Sequence, residues 1–123
     1  MADFSLSKYK VALASTDGEW VNQHYGRAEK FYIYSVDDDE GYELLEIRSL
    51  ASVCMGGSHR VQEMEKSVGK FEDCKYIAAS RIGDGALSVM NAKGIVGMEL
   101  PGSIDDAMIK IWKYNRIQKL FEF

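Results

Sequence analysis

The chain has 123 residues, which is enough for one domain with a single sizeable core. Its residues are 46% hydrophobic and 28% charged, a composition typical of a globular protein rather than a disordered one. The formal net charge of −4 argues against a general nucleic-acid binder, because such proteins usually carry a basic excess. We predict a flexible N-terminus over residues 1–7 and one α/β domain over residues 8–123.

The two cysteines, Cys54 and Cys74, limit the kinds of site that this chain can hold. They are too few for a zinc site made of cysteine alone, which needs about four ligands. The sequence shows neither an apolar signal-peptide segment nor the roughly 18 consecutive apolar residues that cross a bilayer. We therefore expect a cytoplasmic protein with reduced cysteines, in which Cys74 packs in the core.

Three strands are predicted in the first half of the chain. Residues 11–14 form an apolar run that ends in a Ser-Thr-Asp-Gly loop, which is typical of a buried strand. Aromatic and β-branched residues at 31–36 predict a second strand, and residues 42–48 predict a third. An acidic turn at 37–41 joins these two strands into a hairpin.

The hydrophobic period changes after residue 58, where apolar residues three and four positions apart predict a first helix. The inward-facing residues of this helix are Val61, Met64, Val68 and Phe71. Residues 76–79 then predict a fourth strand, which is apolar throughout and therefore buried.

The last part of the chain adds two helices and one strand. Asp84 is expected to cap the second helix and Gly94 to close it. Residues 95–98 predict the fifth strand, and Ser103 is the expected N-cap of the third helix. The inward-facing residues of this helix are Ile104, Ala107, Met108, Ile111 and Trp112. The order βββαβαβα predicts an α/β fold with a five-stranded mixed sheet and flanking helices.

This order brings three loops to one edge of the sheet, namely residues 16–30, 50–59 and 81–85. In open α/β sheets, ligands bind outside the carboxyl ends of the strands. The loops contain both histidines of the chain, His24 and His59, and one of its two cysteines, Cys54. Imidazole and thiolate are ligands for soft transition metals and iron–sulfur species, so these three residues are the metal-ligand candidates.

Positive charge and glycines accompany the metal-ligand candidates. The basic residues of the loops are Arg27, Arg60 and Arg81. The glycines at predicted helix N-termini are Gly56, Gly57, Gly83 and Gly85. Backbone N–H groups at a helix N-terminus and the positive end of the helix dipole favour an anion. The loops therefore predict a site for a small anionic ligand with soft metal character.

Simpler interpretations of the same residues stay open. His24 could be an ordinary loop histidine, and Cys54 could be a small buried hydrophobic residue. The glycine-rich segments could be turns and helix caps without a ligand.

The loop motifs resemble those of the dinitrogenase iron–molybdenum cofactor-binding family, of the NifX/NifY type, which is also similar to the C-terminal module of NifB. The matching segments are residues 11–15, 21–28, 54–59, 80–86 and 102–107. The His-aromatic-Gly-Arg-Ala and Arg-Ile-Gly-x-Gly-Ala motifs within them are specific when they occur together and in this order.

The resemblance implies a ribonuclease-H-like fold. It also implies a carrier of the iron–molybdenum cofactor, its iron–sulfur precursor or a related molybdenum-containing cluster. The exposed histidine of the family, a candidate cluster ligand, corresponds to His24. Here Tyr25 replaces the usual phenylalanine, and Gly26 and Arg27 complete the motif. The resemblance thus implies that His24, Tyr25, Gly26 and Arg27 contact the cofactor. The implied partners are the cluster and a protein that donates or accepts it, without nucleic acid or a membrane.

The leading hypothesis is a carrier without catalytic activity. In it, His24 and Cys54 bind the metal, and His59 binds it or donates a hydrogen bond. A metal-free regulatory domain that binds a partner protein is the first alternative. Metal-dependent phosphoryl hydrolysis is the second, and it requires clustered carboxylates. The acidic residues in the loops are Asp17, Glu19, Glu29 and Asp84.

Overall fold

In the computed structural model of the protein, residues 8–37, 41–50 and 60–121 are described, apart from the side chains of Arg60 and Val61. Within them the strands are β1 (Tyr9–Ala14), β2 (Trp20–Val21), β3 (Lys30–Val36), β4 (Tyr42–Ser49), β5 (Tyr76–Ala79), β6 (Val96–Glu99) and β7 (Gly102–Ser103). The helices are α1 (Arg60–Gly69), α2 (Asp84–Ala92) and α3 (Ile104–Leu120).

The main sheet of the described residues has five strands in the order β4-β3-β1-β5-β6. Strands β1, β3 and β4 form an antiparallel meander. Strand β5 is parallel to both β1 and β6, so α1 and α2 lie in crossover connections. This is the mixed five-stranded sheet that the sequence predicts. The short antiparallel pair β2–β7 was not predicted, because two residues per strand are too few to show a period.

Helices cover both faces of this sheet, and the central strands are therefore buried on both sides. One core cluster joins α1 and α2 to the sheet and includes Phe31, Phe71 and Met90. The other joins α3 to the opposite face through Ile104, Met108 and Ile111. The α/β prediction with flanking helices is confirmed in this arrangement of three layers.

The ends of the helices confirm two predicted caps and correct a third. The Ser103 hydroxyl accepts a 3.0 Å hydrogen bond from the Asp106 N–H group, and Gly94 closes α2 with a φ of 77°. The prediction that Asp84 caps α2 was wrong, since Gly83 is the N-cap and Asp84 is the first helical residue. Gly83 has the extended backbone of an N-cap, with φ −68° and ψ 161°, which leaves the Asp84 side chain one position too late.

The carboxyl ends of β1, β5 and β6 define one edge of the sheet, which we call the carboxyl edge and which comprises residues 15–29, 80–83 and 100–101. Two of the three predicted loops lie on it. Most of the third loop, residues 51–59, lies outside the described residues, as do residues 1–7 and most of the acidic turn at 37–41.

Candidate functional site

The loop after β1 starts with a turn that its own side chains hold together. Ser15 is buried, and its hydroxyl accepts a 2.9 Å hydrogen bond from the N–H group of Gly18, whose φ of 78° suits glycine. The Asp17 carboxylate accepts hydrogen bonds from the N–H groups of Glu19 and Trp20 at 2.9 and 3.1 Å. These backbone donors hold the pKa of Asp17 below its usual value. The turn therefore has a fixed shape without any ligand.

Asn22 fixes the second half of the same loop. Its Oδ1 atom accepts a 3.0 Å hydrogen bond from the Thr16 N–H group, and its Nδ2 atom donates to Thr16 Oγ1 at 2.9 Å. This clamp joins the two ends of the segment between residues 16 and 22. It places His24 and its neighbours directly at the carboxyl edge.

Backbone hydrogen bonds then join this loop to the loop after β5. The Ser80 N–H group donates to the Gln23 carbonyl at 2.9 Å, and the Tyr25 N–H group donates to the Arg81 carbonyl at 2.8 Å. His24 and Arg81 face each other in an isolated parallel bridge. Two of the predicted site loops are therefore in direct contact, as the strand order indicates.

Tyr25 anchors the loop from within. Its side chain is 1% exposed and its ring contacts Phe31, with centroids 5.6 Å apart. Its hydroxyl shares a 2.7 Å hydrogen bond with the Ser67 hydroxyl on α1, and burial raises the pKa of Tyr25. This side chain, a predicted cofactor contact, faces the core and positions the loop. His24 and Arg27 on either side of it are exposed.

The loop after β5 presents a helix N-terminus to solvent. The Ile82 side chain is buried, and the Ile82 N–H group donates to the Glu99 carboxylate at 2.8 Å. Gly83 then begins α2 without a side-chain cap. The first N–H groups of a helix have no partner within the helix, so they remain available to an anion.

Three predicted site glycines lie next to open space. A Cβ atom built on Gly26, Gly83 or Gly85 has no described heavy atom within 4 Å apart from its chain neighbours and its own helix backbone, and no positive φ occurs at these positions. The described part of the fold therefore does not require glycine at any of them. A glycine at each position leaves the backbone accessible to close approach by a ligand.

Charges of both signs lie where the loops meet, since Arg27 and Arg81 are accompanied by Asp84 in the first turn of α2 and by the Glu99 carboxylate at the Ile82 N–H group. Arg27 and Arg81 are exposed, and neither forms a salt bridge with another described residue. A shallow pocket of about 270 Å³ lies beside Arg27 and is lined by Ser15, Thr16, Gln23, Glu29 and Lys30 as well. Within residues 8–37, 41–50 and 60–121, no group of three or more His, Cys, Asp or Glu side chains could hold a metal ion. His24 is the one predicted metal ligand whose side chain is described.

The other predicted site residues lie in a part of the chain that the structure does not describe, and the second cysteine lies in the core. Cys54, Gly56, Gly57, His59 and the side chain of Arg60 lie outside the described residues. Cys74 is buried, and its burial together with the charge of Asp73 raises its pKa to about 12. The prediction that Cys74 packs in the core is confirmed.

The residues that sequence reasoning missed stabilise the loops through hydrogen bonds to backbone N–H groups. The roles of Ser15 and Asp17 could have been found from the Ser-Thr-Asp-Gly motif, because such side chains often bond to their own turn. The contact of Glu99 with the Ile82 N–H group joins residues 17 positions apart, and no local pattern indicates it.

Known sequences and structures resemble this chain over most of its length. The sequence profile of the family described as "Dinitrogenase iron-molybdenum cofactor" matches residues 7–114. The FeMo cofactor biosynthesis protein NifB of Chlorobaculum tepidum is 30% identical over 112 residues, which are 91% of this chain and 26% of that protein. The protein NifX of Klebsiella pneumoniae is 24% identical over 92 residues, which are 75% of this chain and 56% of NifX. The chain thus spans about a quarter of this NifB and just over half of NifX.

Two solved structures share the fold. The crystal structure of PH0822 superposes with a TM-score of 0.65 at 20% identity, covering 85% of this chain and 88% of that one. The apo form of the orange protein from Desulfovibrio gigas superposes with a TM-score of 0.58 at 17% identity and the same coverage. Among the described helices, none is both long and apolar enough to span a membrane. Because the family profile covers residues 7–114, the chain belongs to the dinitrogenase iron-molybdenum cofactor family.

Proposed function

We propose that this protein binds an anionic metal–sulfur cluster at its carboxyl edge and transfers it to another protein, without catalysing a reaction. The cargo is the iron–molybdenum cofactor, its iron–sulfur precursor or a related molybdenum-containing cluster. Membership of the family and the similarity to NifB and NifX, the former named for FeMo cofactor biosynthesis, support this cargo class.

The observation that carries the proposal is the exposure of His24 on a loop that is fixed on two sides. Backbone bonds to Arg81 hold the loop against β5, and the Tyr25–Ser67 hydrogen bond holds it against α1. A ligand that binds a fixed histidine does not have to order the loop first, so less conformational entropy is lost on binding. An exposed imidazole also remains accessible to the acceptor protein during transfer.

The surrounding groups match the chemistry of such a cargo. A metal–sulfur cluster already has sulfide ligands, so one or a few protein ligands suffice to hold it. Its negative charge is favoured by the exposed guanidinium groups of Arg27 and Arg81 and by the uncapped N-terminus of α2. Gly83 and Gly85 would let the cluster approach the backbone of that helix. In this proposal Cys54 is the second metal ligand and His59 a ligand or hydrogen-bond donor.

We extend the proposal to the fold and the cellular setting. The strand order, with a meander followed by two parallel crossovers, supports a ribonuclease-H-like topology. Residues 8–123 would act as one cofactor-binding domain in the cytoplasm. The partner would be the protein that donates or accepts the cluster.

The experiment that tests the proposal is an anaerobic titration of the reduced protein with isolated iron–molybdenum cofactor and, separately, with tetrathiomolybdate. Binding is followed by visible absorption and by the metal retained after desalting. We expect His24→Ala to weaken binding of the cofactor roughly tenfold or more, because the substitution removes a direct metal ligand and mutations even at outer contacts of metal sites cost about tenfold or more. The melting temperature should not change, since this side chain is exposed.

A matched control is Asn91→Ala, which changes an exposed residue near the opposite end of α2. This variant should bind as the unmodified chain does. Equal affinity of the His24→Ala variant would contradict the role of His24. A chain that takes up neither probe but captures one protein would instead support the metal-free regulatory domain.

A further inference from the structure

Strand β4 ends the main sheet on one side, and its outer edge is uncovered within the described part of the chain. The strand has eight residues, which is long for an edge. A strand edge has unpaired backbone N–H and C=O groups along its length, and these groups can pair with another strand. Two edges of this kind are complementary to each other.

Strand β4 also exposes more apolar surface than a solvated edge requires. Leu44, Leu45 and Ile47 are 46%, 45% and 48% exposed. An apolar groove of about 250 Å³ lies next to the start of the strand, between Tyr42 and the α3 residues Met108 and Ile109. Exposed apolar residues that lie together on one element are typical of an interaction surface.

The hydrogen-bonding register shows which residues of β4 direct their backbone outward. The Leu50 N–H group donates to the Glu29 carbonyl at 2.7 Å, so this pair bonds directly across the two strands. Antiparallel pairs alternate between bonded and non-bonded positions. Arg48 therefore bonds to β3, whereas the N–H and C=O groups of Ile47 and Ser49 point away from the sheet.

We propose that two copies of this chain associate through β4, which pairs antiparallel with itself around a two-fold axis at Ile47. The two Ile47 residues would exchange both of their backbone hydrogen bonds, and Ser49 of each copy would lie opposite Leu45 of the other. The two sheets would become one continuous sheet of ten strands. The charges on the strand favour this register over its neighbours.

A two-fold axis at Ile47 places Glu46 of each copy opposite Arg48 of the other, so that two cross-strand pairs of opposite charge join the Glu46–Arg48 and Arg48–Asp73 ion pairs within each chain. An axis at Glu46 would instead place two carboxylates together, and an axis at Arg48 two guanidinium groups. Like charges directly opposite each other destabilise an antiparallel pair. Leu45 has no partner on β3, because the register shifts between Ile33 and Tyr34, and this bulge limits the paired segment at one end.

The test is to measure the molar mass of the full chain in solution. Sedimentation equilibrium gives this mass over a range of concentrations with reductant present. We expect a concentration-dependent dimer, and we expect Ile47→Lys to raise its dissociation constant at least tenfold. The reason is that two ammonium groups would then meet at the axis. Amide hydrogen exchange gives the register, since the Ile47 amide should be protected at high concentration and exchange rapidly on dilution.

The control is Ile117→Lys, which introduces the same charge at a residue of α3 that is 52% exposed. This variant should dimerise as the unmodified chain does, and circular dichroism should show both variants folded. A chain that is monomeric at every concentration overturns the proposal. A dimer whose dissociation constant is unchanged by Ile47→Lys also overturns the proposal, because its interface must then lie elsewhere. If Ile117→Lys is the variant that dissociates, the interface lies on α3.

Discussion

The buried Tyr25 side chain fixes a turn in which the adjacent side chains lie on the surface. The ring is buried among the aromatic residues next to α1, and the hydroxyl reaches Ser67. Because the short 3-10 turn over Tyr25–Arg27 turns this side chain inward, His24 and Arg27 lie on the surface. The Tyr25 hydroxyl, which a phenylalanine would lack, thus adds a hydrogen bond between the loop and α1.

That hydrogen bond should be measurable as a coupling between two side chains. We expect Tyr25→Phe and Ser67→Ala each to lower the free energy of unfolding by about 1 kcal/mol, the usual net contribution of one hydrogen bond. The double variant should cost less than the sum, because both single changes remove the same bond. Urea unfolding of the four proteins gives this coupling energy.

Tyr114→Phe is the matched control, since Tyr114 is partly exposed on α3 and its ring also contacts an aromatic neighbour. Its hydroxyl should show no coupling to Ser67. Strictly additive losses for Tyr25 and Ser67 would mean that the hydrogen bond contributes nothing to stability.

At the scale of elements, the first turn of α2 contains glycines where other residues would stabilise the helix more. Gly83 occupies the N-cap without a side-chain hydrogen bond, and Gly85 lies within the first turn. Glycine inside a helix costs about 1 kcal/mol relative to alanine. Since a Cβ atom at Gly85 would contact none of the described residues outside its own helix, the described fold does not require glycine there. This helix end therefore loses stability at the position where we propose that the cluster binds.

We therefore expect Gly85→Ala to raise the free energy of unfolding by up to about 1 kcal/mol and to weaken cofactor binding. The added methyl group would occupy the space through which the cluster approaches the backbone. Thermal unfolding and the anaerobic titration with isolated iron–molybdenum cofactor measure the two effects.

Ser88→Ala is the control for the effect of helix propensity alone. Ser88 is exposed further along the same helix, so the substitution should stabilise α2 without affecting binding. Unchanged affinity of the Gly85→Ala variant would argue against close approach of the cluster to this turn.

For the whole molecule, the sequence was informative wherever a hydrophobic period extends over several residues. The five strands and three helices follow from such periods, with shifts of one or two residues at their ends, as for β6, which begins at Val96 rather than Ile95. The meeting of the His24 and Arg81 loops follows from strand order alone. Contacts such as that between Glu99 and Ile82 could not be predicted, because they depend on three-dimensional proximity between distant residues.

Two ion pairs that share the Asp73 carboxylate link distant parts of the chain and should make stability depend on pH. The guanidinium group of Arg48 on β4 contacts the Asp73 carboxylate at 2.6 Å, and Lys10 on β1 contacts the same carboxylate at 3.2 Å. The bond from Arg48, followed by that from Lys10, lowers the pKa of Asp73 well below its usual value. The carboxylate is partly exposed, so we expect Asp73→Asn to cost only about 0.5–1 kcal/mol at pH 7.

The sign of the pH dependence follows from the lowered pKa. The contribution of Asp73 is complete above the pKa of the unfolded chain, about 4, and is lost as the pH falls toward the lower pKa of the folded state. Urea unfolding at pH 7 and below pH 3 should therefore show a difference between the two proteins that shrinks in acid. A difference that is equal at both pH values would assign the effect to packing instead.

The burial of Cys74 bears on the selectivity of the proposed cluster carrier. This thiol lies before the amino end of β5, whereas Arg81 follows the carboxyl end of the same strand. Because its pKa is raised to about 12, it stays protonated at neutral pH, and a protonated thiol competes poorly for copper, zinc or iron. In the proposed carrier, Cys74 would therefore not compete for soft metals with the residues at the opposite end of β5.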